Sequence, residues 1–364
     1  MFSRRSALAS GDNAWSQIVT AARQQRPDLL DLTTSNPTAI DLAAPWSEVQ
    51  AILQRHAVVQ YQPEPFGLPL ARAAIAAHYN NHVEPSQVVI AASTSEAYGW
   101  LFQLLCEPGD EVLIPTPSYP LFDCLAQLQG VVTLAVPWQY AAGTWWLDRD
   151  TLLSQLTGRT RAVVVVSPNN PTGAVLQHSD ADFLQDLCAD NDLALIVDEV
   201  FADFVPQWPA DALGTAAGLS RCLTFVLSGL SKVALLPHLK LGWLVVSGPS
   251  ALREVALQRL ELIADTCLSV ATPIQHALPE LLALAPALRA PLIERLQVNR
   301  AVLKQTLRDT PATLLPADGG WLAIVQLPAT EEDGGHSAVR LLQHQGVLVQ
   351  PGWLYDLPLG ESWV

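Results

Sequence analysis

Lysine is almost missing from this chain: three residues, Lys232, Lys240 and Lys304, stand against seventeen arginines in 364 positions. Two of the three fall eight residues apart in the apolar stretch "LSGLSKVALLPHLKLGW", Leu227 to Trp243, where a solvated face would carry arginine as the rest of the chain does. Basic runs are absent and the net charge is -15, which removes the electrostatic footprint that nucleic acid or an anionic membrane requires. No CxxC pair occurs. Cys106, Cys124, Cys188, Cys222 and Cys267 are odd in number, widely spaced and mostly among apolar neighbours, so a disulfide frame and a zinc site are both disfavoured and reduced core residues are expected. No run reaches about eighteen apolar residues, and the two arginines near the N-terminus have no apolar segment behind them. The expectation is a cytoplasmic protein without membrane or nucleic-acid partners. Internal repeats and low-complexity linkers are lacking as well.

What the chain does have is apolar mass: half its residues are hydrophobic and 15% are charged, pointing to a compact oligomer with part of its surface covered by a second subunit. Its length exceeds that of an ordinary single core, so two domains are expected. Short apolar runs bounded by turn residues recur: "QVVIAAS", "DEVLIPTP", "GVVTLAV", "RAVVVVSP", "LALIVDE", "CLTFVLS" and "LGWLVVSG". Stretches of helical spacing lie between them, at residues 95–106, 119–129 and 179–191. Near-continuous β-branched runs alternating with helices predict an α/β domain over residues 56–250, with a mostly parallel sheet buried on both faces. After Pro249 come long helical stretches, a Gly-rich turn at residues 318–320 and two short strands, "WLAIVQL" and "GVLVQPG". Residues 1–55 fit the βα alternation poorly, so they are grouped with 251–364 as a split, smaller α+β domain.

In open parallel sheets ligands bind beyond the carboxyl ends of the strands, and four polar clusters sit there. Ser93-Thr94-Ser95 opens a helix, where spare backbone amides and the helix dipole suit a phosphate, although an ordinary helix cap has the same composition. "SPNNPTG", 167–173, is a turn carrying the amides of Asn169 and Asn170. Asp198 and Glu199 end a very apolar strand, so at least one of them needs a cationic or hydrogen-bonding partner, structural or ligand. Lys232 follows a fourth strand end; a lysine whose pKa is lowered by burial or by a neighbouring cation such as Lys240 becomes a nucleophile towards carbonyls. A phosphate cradle, an aldehyde-reactive lysine, a carboxylate for a pyridinium, an amide for a ring hydroxyl and an aromatic to stack are the parts that pyridoxal 5'-phosphate needs.

Along nearly its whole length the sequence resembles the class I and II aminotransferases of fold type I. The resemblance runs from "LDLTTSNPT" through "YQPEPFGLPLARAAIAAHY", "ASTSEAYGWLFQLLCEPGDEVLIPTPSYP", "SPNNPTGAV" and "IVDEVFADF" to "LSGLSKVALLPHLKLGW". It implies that Lys232 forms the Schiff base with the cofactor and, once released, moves the proton between substrate Cα and cofactor C4'. It further implies that Asp198 keeps the pyridine nitrogen protonated, that Asn170 bonds O3', that Tyr119 stacks on the ring, and that Thr94 and Ser95 begin the phosphate-binding helix. Phe201, Ser228, Ser231 and Lys240 complete the cofactor set, and Ser35, Asn36 and Asn170 the substrate set. Tyr61 would reach the neighbouring subunit's phosphate, which implies a homodimer with shared sites. No metal is implied.

Three departures from the family pattern stand out. Phe201 occupies the place of a tyrosine that bonds O3', which should raise the pKa of the lysine Schiff base. Lys240 replaces a phosphate-binding arginine, giving a point charge where a bidentate fork is usual, as in a subgroup with "GLPxLKLGW"-type segments. The arginine that clamps the substrate α-carboxylate lies beyond "VLVQPGWLYDL", and the sequence stops at "LGESWV". The expectation is that the chain is incomplete at its C-terminus or that another group holds the carboxylate; Arg340, on a helix before this strand, carries little weight as a substitute. The leading function is transfer of an amino group between an amino acid and a 2-oxo acid. The alternatives are a pyridoxal phosphate-dependent C–S β-lyase and, in another class, a non-catalytic binding protein on the same fold, against which the presence of Lys232, Asp198 and Asn170 argues.

Overall fold

The computed structural model describes residues 2–7, 14–80, 82–328, 336–357 and 362–364. Eight strands form one sheet: β1 (Val88–Ala91), β2 (Glu111–Thr116), β3 (Val132–Ala141), β4 (Thr144–Leu147), β5 (Thr160–Val166), β6 (Ala194–Asp198), β7 (Thr224–Gly229) and β8 (Gly242–Ser247). Their spatial order is β1-β8-β7-β6-β5-β2-β3-β4. The pairs from β7 through β6, β5 and β2 to β3 are parallel, whereas β8 runs antiparallel to both of its neighbours and β4 antiparallel to β3. All seven predicted strands are present. The unpredicted β4 follows a tight turn in which Ala142 and Gly143 both have positive φ, a turn that carries no Asn-Gly or Asp-Gly signal.

The apolar runs are continuous because both faces of the sheet are covered. Val112, Ile114, Val164, Val166, Ile196, Phe225 and Leu227 pack with helices Thr94–Leu105, Phe122–Gln129 and Ser250–Cys267. Their neighbours of opposite parity, among them Leu113, Val163, Val165, Leu195, Val197 and Val226, pack with helices Pro69–His78, His178–Asp190 and Thr272–Leu307. Side chains alternate across a strand with period two, so this division also sets which face each strand-end residue addresses. Asp198 follows Ala194 and Ile196 towards the helix Thr94–Leu105, and Glu199 goes to the other side.

Outside the sheet, Leu30–Asp31 pairs in parallel with Val347–Leu348, and Trp15 packs with Ala338, Leu342 and Leu348. Thr313–Leu314, Val325–Leu327 and Ser362–Trp363 make a small antiparallel sheet. The helix Trp46–Arg55 joins the main core through Val49 and Ile52, as does the first half of Thr272–Leu307 through Leu278, Leu281 and Leu288.

Candidate active site

The ends of β5, β6 and β7, together with the start of helix Thr94–Leu105, open on a cavity of about 570 Å3. Ser35, Thr94, Ser95, Tyr119, Asn170, Asp198, Phe201, Ser231, Lys232 and Lys240 all line it. Ten of the residues singled out in the sequence, spread over more than two hundred positions, therefore share one space.

At the helix start, Ser93 Oγ accepts from Glu96 N at 3.1 Å, and Glu96 Oε2 accepts from Ala92 N at 2.6 Å. Serine thus caps the first turn, while the glutamate ties the residue before the cap to the helix. The amides of Thr94 and Ser95 donate to no group among the described residues and remain available to an anion. This end of the helix sits hard against β8: a Cβ on Gly242 would come within 2.9 Å of the Ser93 carbonyl carbon and 3.0 Å of Thr94 N.

The turn 167–173 separates its two asparagines by task. Asn169 is buried and structural: its Oδ1 accepts from Thr172 N at 3.1 Å and from Thr172 Oγ1 at 2.9 Å, while its Nδ2 donates to Pro117 O at 3.3 Å. Asn170 lines the cavity, and its buried Oδ1 has no partner among the described residues. A buried polar atom left in this state is costly unless something else binds it.

Asp198 accepts from Val200 N at 3.1 Å and from Tyr98 OH at 3.2 Å. Burial pushes its pKa up to about 6, against those hydrogen bonds and the charge of Lys232. Burial also lowers the pKa of the Lys232 amine, opposed by Asp198. Lys232 Nζ lies 4.2 Å from the Trp321 ring centroid and 5.3 Å from that of Phe201. Tyr119, 37% exposed, forms a wall of the cavity and meets Phe122 edge to face at 5.9 Å.

Three expected residues lie elsewhere. Ser228 does not belong to this cavity: it has the parity of Thr224 and Val226, so its side chain opens on a separate cavity beside Glu199 and Thr215, and Gly229 takes the place facing Lys232. Asn36 is turned into its own loop, where its Oδ1 accepts from Thr38 N at 3.0 Å and Thr38 Oγ1 at 2.7 Å. Tyr61 is 60% exposed and outside the lining. Conversely, Tyr98, Trp321 and Tyr355 reach the cavity without having been singled out. Tyr98 was within reach of sequence reasoning, since it stands four residues after Thr94 on the same helix face. Trp321 and Tyr355 arrive from distant segments with no local signal.

Comparison with known proteins gives one family throughout. The family described as aminotransferase class I and II matches residues 27–364. An alanine aminotransferase of Mycobacterium tuberculosis is 30% identical over 256 residues, covering 69% of this chain and 59% of that protein. A glutamate-pyruvate aminotransferase of Escherichia coli is 28% identical over 254 residues, covering 69% and 62% respectively. The matched region thus spans about three fifths of these curated relatives. Among solved structures, a single mutant of Thermus thermophilus aspartate aminotransferase superposes with a TM-score of 0.84 at 25% identity, covering 100% of this chain and 94% of that one.

Proposed function

This chain belongs to the class I and II aminotransferases, and from that premise we propose that it moves an amino group between an amino acid and a 2-oxo acid, using pyridoxal 5'-phosphate held on Lys232. The observation that carries the proposal is the convergence of Lys232, Asp198 and Asn170, from three separate strand ends, on a cavity that also receives an open helix start. The residues present fit the cofactor on physical grounds. Among the described residues the Asn170 amide has a buried atom in want of a partner, and the Thr94 and Ser95 amides are unused. The only lysine beyond a strand end in this sheet has its amine pKa lowered.

When bound, pyridoxal phosphate supplies an electron sink for negative charge at the substrate Cα. The chain's own residues supply the rest. Asp198, with its pKa near 6, is ionised at neutral pH and can face a protonated ring nitrogen. Asn170 would present its amide to the ring hydroxyl and Tyr119 would stack on the ring, with the apolar Phe201 where the family has a tyrosine. Thr94 and Ser95, with Ser231 and Lys240, would hold the phosphate by amides, hydroxyls and one point charge. Lys232 would be the covalent anchor, and once released its buried amine would move the proton between the substrate Cα and the cofactor's C4'. Arginine could fill neither task because its guanidinium stays protonated.

The proposal includes a cytoplasmic homodimer in which Tyr61 serves the neighbouring subunit's site, with Ser35 and Asn170 on the substrate side. It keeps the division into a cofactor domain over 56–250 and a split smaller domain of 1–55 with 251–364. No described helix is long and apolar enough to cross a membrane. Relatives named for alanine, glutamate-pyruvate and arginine-pyruvate transfer make pyruvate the acceptor to try first.

A panel of amino donors against pyruvate and 2-oxoglutarate tests the reaction. The purified protein should show a visible absorbance band from the lysine-bound cofactor that is lost in Lys232→Ala. A protein that takes up no pyridoxal phosphate would refute the proposal. Release of pyruvate and ammonia from a cysteine conjugate, without any 2-oxo acid, would replace transfer with β-elimination.

A further inference from the structure

The segment that carries Trp321 is held with unusual firmness for a loop. Asp318 N and Gly319 N both donate to Gly173 O, at 3.1 and 3.0 Å, and Gly320 N donates to Phe204 O at 3.1 Å. Gly173 has φ of +71°, and a Cβ there would collide with Gly319 O. One on Gly319 would reach Phe204 O at 2.9 Å. From the long helix Thr272–Leu307, the partly buried Arg300 donates one NH2 group to both Gly319 O and Leu322 O, at 3.2 and 2.8 Å. The carbonyls on either side of Trp321 are therefore clasped by one guanidinium. The indole ring then packs edge to face with Phe201 and Phe204, at 5.3 and 5.1 Å between centroids. Every constraint on this loop fixes where one ring face points, and 4.2 Å from that ring's centroid lies Lys232 Nζ.

Among the described residues no carboxylate stands within ion-pair distance of the amine, and Asp198 acts on it only through space. The aromatic face lies 4.2 Å from the amine and is the contact it makes. Tryptophan is the strongest of the aromatic residues in this role, and the interaction grows when the cation is desolvated, as it is here.

We propose that Trp321 is a positioning residue for Lys232: its pinned ring receives the lysine ammonium whenever the side chain is not bonded to cofactor, and holds the proton-carrying Nζ inside the cavity. This rests on the assignment of Lys232 above. Burial alone would drive the amine towards its neutral form and leave it without a fixed seat. The ring opposes that by stabilising the charged form without adding a second acid that could compete for the proton.

The chain's scarcity of lysine makes a direct test practical. Full-length protein containing 13C,15N-lysine is loaded with pyridoxamine 5'-phosphate, the form in which Lys232 is free, and its three lysine side chains are titrated by NMR. The Lys232 signal is identified by its change on conversion to the pyridoxal form. Trp321→Leu should lower the Lys232 pKa by between about 0.4 and 1.5 units, and Trp321→Phe by less than half as much, while Lys240 and Lys304 titrate as in wild type. An unchanged or raised Lys232 pKa in Trp321→Leu overturns the proposal, as does a Phe variant that falls as far as the Leu one. If Trp321→Leu does not fold, the Phe variant decides alone, by whether its Lys232 pKa falls or stays. Wild-type protein that takes up neither form of the cofactor would instead refute the function on which the proposal rests.

Discussion

Replacing Glu199 by glutamine should stabilise the protein, and only above mildly acidic pH. Glu199 is 6% exposed, and its carboxylate accepts from Thr215 Oγ1 at 2.8 Å and Ala216 N at 2.6 Å, with no cationic partner among the described residues. Burial and the nearby Asp198 push its pKa up from 4.5 to about 7. Between those two values the folded side chain keeps a proton that the unfolded one has released, so its contribution to stability falls as pH rises through the window. Fully developed, the difference is about 3 kcal/mol at about pH 8, shrinking to about 1 kcal/mol near pH 5. Glutamine has the same shape and no charge, and it can keep both contacts: its carbonyl accepts from Ala216 N while its amide donates to Thr215 Oγ1. With an unfolding entropy of about 2.1 cal/mol/K per residue, the variant should melt about 4 °C higher than wild type near pH 8. Thermal and urea unfolding of both proteins across this pH range measure the gap directly. A glutamine variant no more stable near pH 8, or one whose advantage does not change with pH, would refute the reasoning that the carboxylate is buried and unpaired.

Tyr98→Phe removes one donor to Asp198, whose pKa should rise further; the acidic limb of the kcat/KM profile should move to higher pH, with kcat down about tenfold near neutrality. Gly242→Ala drives a Cβ into the backbone of Ser93 and Thr94, costing about 1–3 kcal/mol and weakening pyridoxal phosphate binding, as a cofactor titration beside a melting curve would show. Lys240→Arg should preserve or tighten cofactor binding and Lys240→Ala weaken it about tenfold; an arginine variant that binds less well than the alanine one contradicts a phosphate contact.

Six of the seven predicted strands were legible because they are buried on both faces, so the apolar run is uninterrupted and its end is marked by the first polar residue; Val132–Ala141, partly exposed, was legible from its β-branched run alone. That rule located Asp198, Asn170 and Lys232, and it located the helix start at Thr94. Ser228, which the family resemblance implied, stands one residue before Gly229 and faces the other way. A strand end tells where the chain leaves the sheet but not which face each side chain addresses, and Ser228 turned out to share its parity with Val226. The alternation that turns Ser228 away from the cavity also separates the pair at 198 and 199: Asp198 lines the cavity and Glu199 is buried on the other side of the sheet.

Local pattern thus decided the α/β architecture, the order of the strand ends and the lysine that stands beyond one of them, since these depend on periodicity and turn chemistry within a few residues. Tertiary structure alone decided what surrounds that lysine. Trp321 lies almost ninety positions downstream, and its place over Nζ is set by Gly173, Phe204 and Arg300, contacts among four distant segments that no window of the sequence contains. Tyr355 arrives in the same way, through Ser118 N donating to its carbonyl at 2.9 Å. Long-range packing brings such residues together, and it leaves no periodic trace in the chain to be read beforehand.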